Sequence, residues 1–137
     1  MVFNPPTTLK PFGTSPRAMA TVSPITSYFA ALNGGDYATA AACFAPTGQL
    51  IPPFEQAITG PTAIARYLHK ESPGMIFTVE EMQAQGESHY YLRGKARSSW
   101  FNLGVAWEIN LNGEGAIAQL QIHLLAKPEE LLMVRPG

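Results

Sequence analysis

The sequence predicts an α+β domain in which three N-terminal helices pack on a curved, mainly antiparallel sheet, with a short helix at the C-terminus. Apolar residues recur at helical spacing in the first half of the chain, as in Ile25, Tyr28, Phe29 and Leu32. Apolar and polar residues alternate through most of the second half, which is the pattern of half-buried strands. Helices followed by a run of strands indicate a fold whose helices cover one face of the sheet and close a cone-shaped interior.

The composition fits one domain with a buried core, because 46% of the 137 residues are apolar and only 14% are charged. We divide the chain into a proline-bearing N-terminal arm, residues 1–22, and a single domain, residues 23–137. A net charge of −1 without a cluster of Lys and Arg argues against nucleic-acid binding. The sparse charge indicates that some apolar surface is committed to a ligand or a partner.

The lack of a recognisable targeting signal and the single cysteine predict a cytoplasmic protein. No run reaches the roughly 18 apolar residues that span a bilayer, and the N-terminus lacks the apolar core of a signal peptide. The single cysteine, Cys43, rules out an intramolecular disulfide and suits a reducing compartment. A buried thiol is the simpler interpretation of Cys43, and an intermolecular disulfide is the alternative.

The first helix is bounded by a cap and by glycines. Residues 1–20 carry four prolines and no periodicity, so we expect an extended arm that is either solvated or docked on a face of the sheet. The first helix is predicted to begin with Ser23 as N-cap and Pro24 at the first helical position. Gly34-Gly35 then ends it, since glycine readily adopts the left-handed conformation that follows a helix.

Two further helices and a short strand are predicted before the sheet proper. Asp36 caps a second helix that extends through Phe44. Leu50-Ile51 forms a short strand that two prolines end. Pro61 opens the third helix, and Ser72-Pro73-Gly74 ends it.

The remaining chain is predicted to form a four-stranded meander and a terminal helix. The strands span Met75–Gln85, Ser88–Phe101, Val105–Leu111 and Ala118–Leu124, and Pro128 opens the helix. The longest strand is the second, whose even positions from Tyr90 to Trp100 form an inward, mostly apolar face. In the last strand the inward face is predicted to hold Ala118, Leu120, Ile122 and Leu124.

The predicted inner face offers hydrogen-bond donors but no acid or base. Its polar atoms belong to Tyr28, Tyr90, Ser98, Trp100 and Trp107, and none of these is a competent general acid or base near pH 7. Charged residues of the strands alternate outward, although one of the adjacent Glu80 and Glu81 could face inward. Two interpretations stay open: core side chains whose polar ends find backbone partners, or an apolar slot whose few donors hold one oxygen of a long ligand.

No metal site is predicted. His69, His89 and His123 lie on separate elements without an acidic or cysteine partner at ligand spacing. Asp36 is interpreted as a helix cap rather than a base.

Several motifs resemble one family across most of the chain, from about residue 25 to residue 132. They include Tyr28-Phe29-x-x-Leu32-Asn33, Leu50-x-Pro52-Pro53-Phe54, Trp100-Phe101, Ala106-Trp107 and Leu124-Leu125-Ala126-x-Pro128-x-Glu130-Leu131-Leu132. With these motifs the sequence resembles the nuclear-transport-factor-2-like (NTF2-like) superfamily. More narrowly, it is similar to the C-terminal domain of the orange carotenoid protein of cyanobacteria and to stand-alone homologues of that domain.

The resemblance implies a ligand and the residues that hold it. Tyr28 and Trp107 match residues that donate hydrogen bonds to the carbonyl of a keto-carotenoid, an echinenone- or canthaxanthin-like pigment. Leu32, Trp100 and Ile122 match residues that wall its ring. Glu71 matches a carboxylate that binds a partner domain, and the resemblance implies no catalytic residue.

The resemblance also implies a function. Stand-alone homologues form homodimers that share one carotenoid, take it from membranes, exchange it with helical carotenoid proteins and quench singlet oxygen, which is photoprotective. A rival hypothesis is an enzyme of the isomerase or polyketide-cyclase type, which needs a buried carboxylate or histidine beside a donor. A third is a structural dimer module whose cone is filled by its own side chains.

Overall fold

The computed structural model describes residues 16–125, with side chains from residue 23 onward. Three helices are present there: α1 Pro16–Asn33, α2 Tyr37–Ala42 and α3 Pro61–Glu71. The strands are β1 Phe44–Ile51, β2 Ile58–Thr59, β3 Ile76–Ala84, β4 His89–Arg97, β5 Asn102–Leu111 and β6 Ile117–Leu124. The predicted α+β class and NTF2-like fold are confirmed, while the helix expected from Pro128 lies outside the described residues.

The six strands form one sheet in the order β2-β1-β6-β5-β4-β3. All neighbours are antiparallel except β1 and β6, which run parallel with Leu50 beside Leu120. The first strand is eight residues long rather than two, and β2 was not predicted. Both differences follow from pairing with strands that are distant in the sequence or too short to carry a pattern.

Helix α1 begins at Pro16, seven residues before the predicted cap at Ser23, and Pro24 lies inside it. The predicted start was wrong because proline in a first turn and proline within a helix leave the same local signal. Inside the helix Pro24 has no amide hydrogen, so the helix lacks one backbone hydrogen-bond donor at that position. Residues 16–20 are therefore helical rather than extended, while residues 1–15 lie outside the described part and the division at residue 22 stays a prediction.

The end of α1 and the start of α2 agree with their sequence signals. Gly35 adopts φ +78° directly after α1. Asp36 caps α2, since its carboxylate accepts bonds from the Thr39 amide at 3.2 Å and the Thr39 hydroxyl at 2.7 Å. Helix α2 nevertheless ends at Ala42, and Phe44 begins β1 instead of closing the helix.

The predicted long strand ends early. Arg97 pairs with Asn102, which leaves residues 98–101 as the turn between β4 and β5. The Ser98 amide donates to the Phe101 carbonyl at 3.0 Å, and Trp100 is 89% exposed in this turn. The inward placement of Ser98 and Trp100 was therefore wrong, because the apolar alternation of the sequence continues across a tight turn.

The core lies between the helices and the inner sheet face. Trp107 lies on β5, where it pairs with Leu92 of β4 on one side and with Ile122 of β6 on the other. On β6 the register shifts near residue 118, so that Ile117 rather than Ala118 is buried opposite Leu111. The bulge corrects the predicted inward position of Ala118 and leaves the rest of that face as expected.

Candidate functional site

Tyr28 lies in the middle of α1 and is 1% exposed. Its ring packs edge-on against Phe29, with centroids 5.0 Å apart, and against Phe44 at 5.7 Å. Burial raises the pKa of Tyr28 far above its usual range, with smaller contributions from Cys43 and Tyr67. The hydroxyl therefore stays protonated and can donate a hydrogen bond, but it cannot act as a base near neutral pH.

Trp107 faces α1 from the centre of β5 and is also 1% exposed. Its ring packs edge-on against Phe29 with centroids 5.0 Å apart. Phe29 thus contacts both Tyr28 and Trp107, so the two predicted donors belong to one aromatic cluster. Their indole N–H and phenol O–H are polar groups in surroundings that are otherwise apolar.

The remaining predicted ligand residues divide into two groups. Leu32 is buried one turn after Tyr28, and Ile122 is half-buried beside Trp107 in the sheet. Trp100 instead points to solvent from the β4–β5 turn and lies apart from Leu32 and Ile122. Glu71 is exposed at the last position of α3, which leaves its predicted partner-binding role untested.

Carboxylates are not found in the interior of the described region. Glu80 and Glu81 are both exposed, and Glu81 accepts a hydrogen bond from Arg93 at 3.2 Å. Asp36 is exposed, and its hydrogen bonds from Thr39 lower its pKa. Within residues 23–125, Ser72 is the buried polar side chain, and no Asp, Glu or His is buried. The described part of the cone therefore holds donors but no general base.

Two histidines share an acidic neighbour in the sheet that their spacing in the sequence does not reveal. His89 Nε2 lies 3.7 Å and His123 Nε2 lies 3.4 Å from opposite oxygens of Glu108. The three residues lie on β4, β5 and β6, so only the register of the sheet brings them together. They face away from the helices, and the described residues contain no group of His, Cys, Asp or Glu suited to a metal ion.

A pocket of about 470 Å³ lies on one flank of α1, against β3 and β4. It is lined by Ile25, Thr26, Phe29, Ala30, Asn33, Ile76, Phe77, Thr78, Val79, Met82 and Leu92. None of the five predicted ligand residues lines it. The sequence pattern predicted that the apolar residues of this pocket belong to the core. Phe29, in the Tyr28-Phe29 motif, was the one residue that could have indicated the pocket. It lines the pocket and also packs on Trp107.

Asn33 lines the pocket and is hydrogen-bonded to the backbone of β3. Its amide nitrogen donates to the Phe77 carbonyl at 2.7 Å, and its amide oxygen accepts from the Phe77 amide at 2.8 Å. This pair of bonds fixes the C-terminal end of α1 to the edge strand β3. Most of the pocket lining is apolar, and its polar residues are Thr26, Asn33 and Thr78.

The large exposed hydrophobic residues of the described region gather at one end of the sheet. Ile76 begins β3 opposite Arg97, and Trp100 occupies the adjoining turn. The Leu125 amide donates a hydrogen bond to the Gly104 carbonyl near the start of β5. Phe54 follows the end of β1, which lies at the same end of the sheet as the end of β6 because these two strands run parallel. Phe54 is 92% exposed and has φ +65°. We call these four residues the apolar end.

A family model described as a SnoaL-like domain matches residues 25–110. The chain belongs to the SnoaL-like domain family. The orange carotenoid-binding protein of Synechocystis sp. is 34% identical over 116 residues, a match that covers 79% of this chain and 37% of that protein. The chain thus spans little more than a third of the relative, and the matched region is its C-terminal domain. The predicted resemblance is confirmed at this level.

Solved structures extend the comparison. The orange carotenoid protein of Anabaena (Nostoc) sp. PCC 7120, determined with canthaxanthin, has a TM-score of 0.68 and 32% identity, covering 81% of this chain and 38% of that one. A Kribbella flavida protein named as a ketosteroid isomerase has a TM-score of 0.70 at 22% identity, covering 86% and 84%. At that identity the second likeness shows the fold alone. No helix of the described region is long and apolar enough to cross a membrane.

Proposed function

We propose that this SnoaL-like domain binds a keto-carotenoid and acts as a carrier rather than an enzyme. The observation that carries the proposal is the 34% identity to an orange carotenoid-binding protein over 116 residues. A related structure of the same family holds canthaxanthin. The buried, neutral donors Tyr28 and Trp107 on an apolar inner face support the proposal, because such a face suits a long ligand with few polar atoms.

The proposed binding chemistry divides between burial and hydrogen bonding. Tyr28 and Trp107 donate to the carbonyl oxygen of the terminal ring, while Leu32 and Ile122 supply apolar contact. Each neutral hydrogen bond contributes about 0.5–1.5 kcal/mol, which is small beside the apolar surface that a carotenoid buries. The donors therefore determine the position and colour of the pigment more than its affinity.

An isomerase-like reaction receives less support. Such an enzyme needs a carboxylate or histidine held beside its proton donor with an altered pKa. Among the described residues Asp36, Glu80 and Glu81 are all exposed, and the donor Tyr28 has no buried acidic neighbour. The fold shared with a ketosteroid isomerase does not supply the missing group.

A dimeric, cytoplasmic carrier completes the proposal. Two chains share one carotenoid, with Trp100 reaching the ligand from the apolar end when the second chain covers it. The pigment is taken up by transient contact with a membrane and exchanged with helical carotenoid proteins, where Glu71 is available for pairing. Loaded protein quenches singlet oxygen and so protects against light.

Expression in a host that makes canthaxanthin tests this function. We expect a coloured protein that elutes as a dimer with one pigment per two chains, measured by absorption and size-exclusion chromatography with light scattering. The same host lacking the ketolase, and therefore making only a hydrocarbon carotene, is the control and should give weakly coloured or colourless protein. Colourless protein from the canthaxanthin host would contradict the proposal.

A further inference from the structure

Strand β3 lies at one edge of the sheet. Within residues 16–125 it is the last of the six strands in the sheet order, so it pairs with β4 on one side only. It is nine residues long, whereas β2 at the opposite edge has only two. A long open edge is a template on which another chain can add a strand. The groups along this edge therefore determine whether the sheet can extend beyond β3.

One side chain already occupies the pairing position near the start of this edge. The Phe77 amide donates to the side-chain oxygen of Asn33 at 2.8 Å, and the side-chain nitrogen of Asn33 donates to the Phe77 carbonyl at 2.7 Å. Since both backbone groups of Phe77 bond to α1, they point away from β4. A side-chain amide offers the same donor and acceptor as a peptide group, so Asn33 makes the two bonds that a residue of an added strand would make.

The next part of the edge carries two features that also hinder pairing. The register with β4 shifts between Val79 and Glu81, so Glu80 is an extra residue in β3. Glu80 is exposed, and two copies of this edge that met here would bring like charges together. Bulges and charged residues are common means of keeping an edge strand unpaired. The Asn33 contact and these two features therefore act in the same direction.

We propose that the edge of β3 is an interaction surface for a second copy of this chain, and that Asn33 prevents this association by occupying the Phe77 backbone. An identical edge fits because two copies of one strand can pair antiparallel about a two-fold axis and satisfy the backbone groups of both. The inference goes beyond the proposed function, since it concerns pigment-free protein and requires neither a carotenoid nor the apolar end. Asn33 lies beside the α1–β3 pocket, but the proposed contact is on the strand edge and not in the pocket.

Asn33→Ala tests the proposal in the full chain without pigment. The variant leaves the amide and carbonyl of Phe77 without their partner, so we expect the dissociation constant for self-association to fall at least about tenfold, which corresponds to about 1.4 kcal/mol. Sedimentation velocity over a range of protein concentrations measures it. Asn102→Ala is the matched control, because Asn102 is an exposed asparagine on β5, a strand that is paired on both sides. This control should associate like the wild type.

Hydrogen exchange followed by mass spectrometry locates the contact. The β3 amides of Asn33→Ala should exchange more slowly at high than at low protein concentration, whereas those of the wild type should not change. Ala84→Pro adds a second check. The Gln85 amide donates to the His89 carbonyl of β4, so the Ala84 amide points to the open edge, where a proline removes a donor without breaking a bond to β4. Asn33→Ala/Ala84→Pro should therefore associate more weakly than Asn33→Ala.

Three results would overturn the proposal. If Asn33→Ala associates like the wild type, Asn33 only anchors α1 to β3, whether or not the melting temperature falls. Stronger association without slower exchange in β3 would assign the contact to another surface. Equal association of Asn33→Ala with and without Ala84→Pro would show that the β3 edge does not pair. If circular dichroism shows that Asn33→Ala is unfolded, the smaller change Asn33→Ser replaces it in every comparison, with the same expected and contradicting results.

Discussion

The Tyr28 hydroxyl occupies a place where only its neutral form is stable. Its side chain is packed between the rings of Phe29 and Phe44 and has almost no access to solvent. Charging a phenol in such surroundings costs far more than in water. The same burial that suits Tyr28 to donate a hydrogen bond therefore makes it a source of instability at alkaline pH.

This burial gives a prediction for the pH dependence of stability. Above pH 10, the ordinary tyrosine pKa, the unfolded chain loses the Tyr28 proton and the folded chain keeps it. The unfolded state then binds fewer protons, so the free energy of unfolding falls as pH rises, by up to about 1.4 kcal/mol per pH unit from this residue. Tyr28→Phe should remove that part of the decline, as urea titrations at pH 8 to 11.5 would measure.

The comparison contains its own control. Below pH 9 the difference in free energy of unfolding between wild type and Tyr28→Phe should be constant, because the Tyr28 hydroxyl is uncharged there in both the folded and the unfolded chain. Above pH 10 the difference should move in favour of the Phe variant. Parallel curves across the whole range would show that the hydroxyl is not buried as described.

The periodicity of the sequence was enough to predict that Tyr28 and Trp107 are buried, but not to position Trp100. Tyr28 follows from helical spacing and Trp107 from strand alternation, and both are buried. Trp100 continues the alternation of β4, yet the Arg97–Asn102 pairing turns the chain before it. The contact of His89 and His123 with Glu108 was likewise hidden, because only the order of three strands creates it.

At the scale of elements, the edge strand β3 depends on a close approach to β4. Gly94 pairs with Val79 next to a register shift in β3. A Cβ atom at Gly94 would overlap the carbonyl oxygen of Thr78, which is backbone and cannot rotate away. The small residue at this point lets β3 lie against β4 and so helps to form one wall of the α1–β3 pocket.

Gly94→Ala should therefore destabilise the protein by about 1–3 kcal/mol, the usual cost of overpacking. Gly86→Ala is the matched control, because nothing lies within 4 Å of a Cβ built at Gly86. Chemical denaturation of both variants measures the difference. If the two variants are equally stable, the close contact between β3 and β4 does not exist in solution.

The start of α1 was the least predictable of the helix boundaries. The end of α1 follows from Gly34-Gly35 and the cap of α2 from Asp36, since each signal acts within a few residues. The start of α1 was misjudged because Pro24 is compatible with a first turn and is also tolerated within the helix. The residues around Pro24 do not by themselves decide whether it lies in the first turn or within the helix.

At the scale of the whole molecule, the order of helices and strands was sufficient to predict the fold. Apolar residues recur every 3.6 residues in a helix and every 2 residues in a half-buried strand, so the two patterns are easy to tell apart. Short connections then join β3, β4, β5 and β6 into an antiparallel meander. Strand β2 was not predictable because two residues are too few to carry a pattern. The parallel pairing of β1 with β6 was not predictable, because it joins segments far apart in the sequence. The pocket was hidden for the same reason, since it depends on the separation between α1 and β3.

The described molecule combines an apolar interior with an apolar end. Phe54 and Trp100 are almost fully exposed at the end of the sheet where Ile76 and Leu125 also lie. Phe54 follows β1 and Trp100 lies in the β4–β5 turn, so both aromatic side chains are exposed at the same end of the sheet. Covering this end with a second chain would bury Trp100 and would agree with a ligand shared by two subunits.

We propose that Tyr28 and Trp107 donate hydrogen bonds to the carbonyl of a bound keto-carotenoid. The most direct measurement is the visible absorption of the Tyr28→Phe/Trp107→Phe double variant loaded with canthaxanthin, beside wild type and Tyr91→Phe, whose side chain lies on the outer sheet face. We expect the double variant to keep its pigment but to absorb at shorter wavelength, because a hydrogen-bonded carbonyl stabilises the charge displaced in the excited state. Tyr91→Phe should match wild type. A double variant that retains the wild-type spectrum would show that Tyr28 and Trp107 do not donate to the carbonyl.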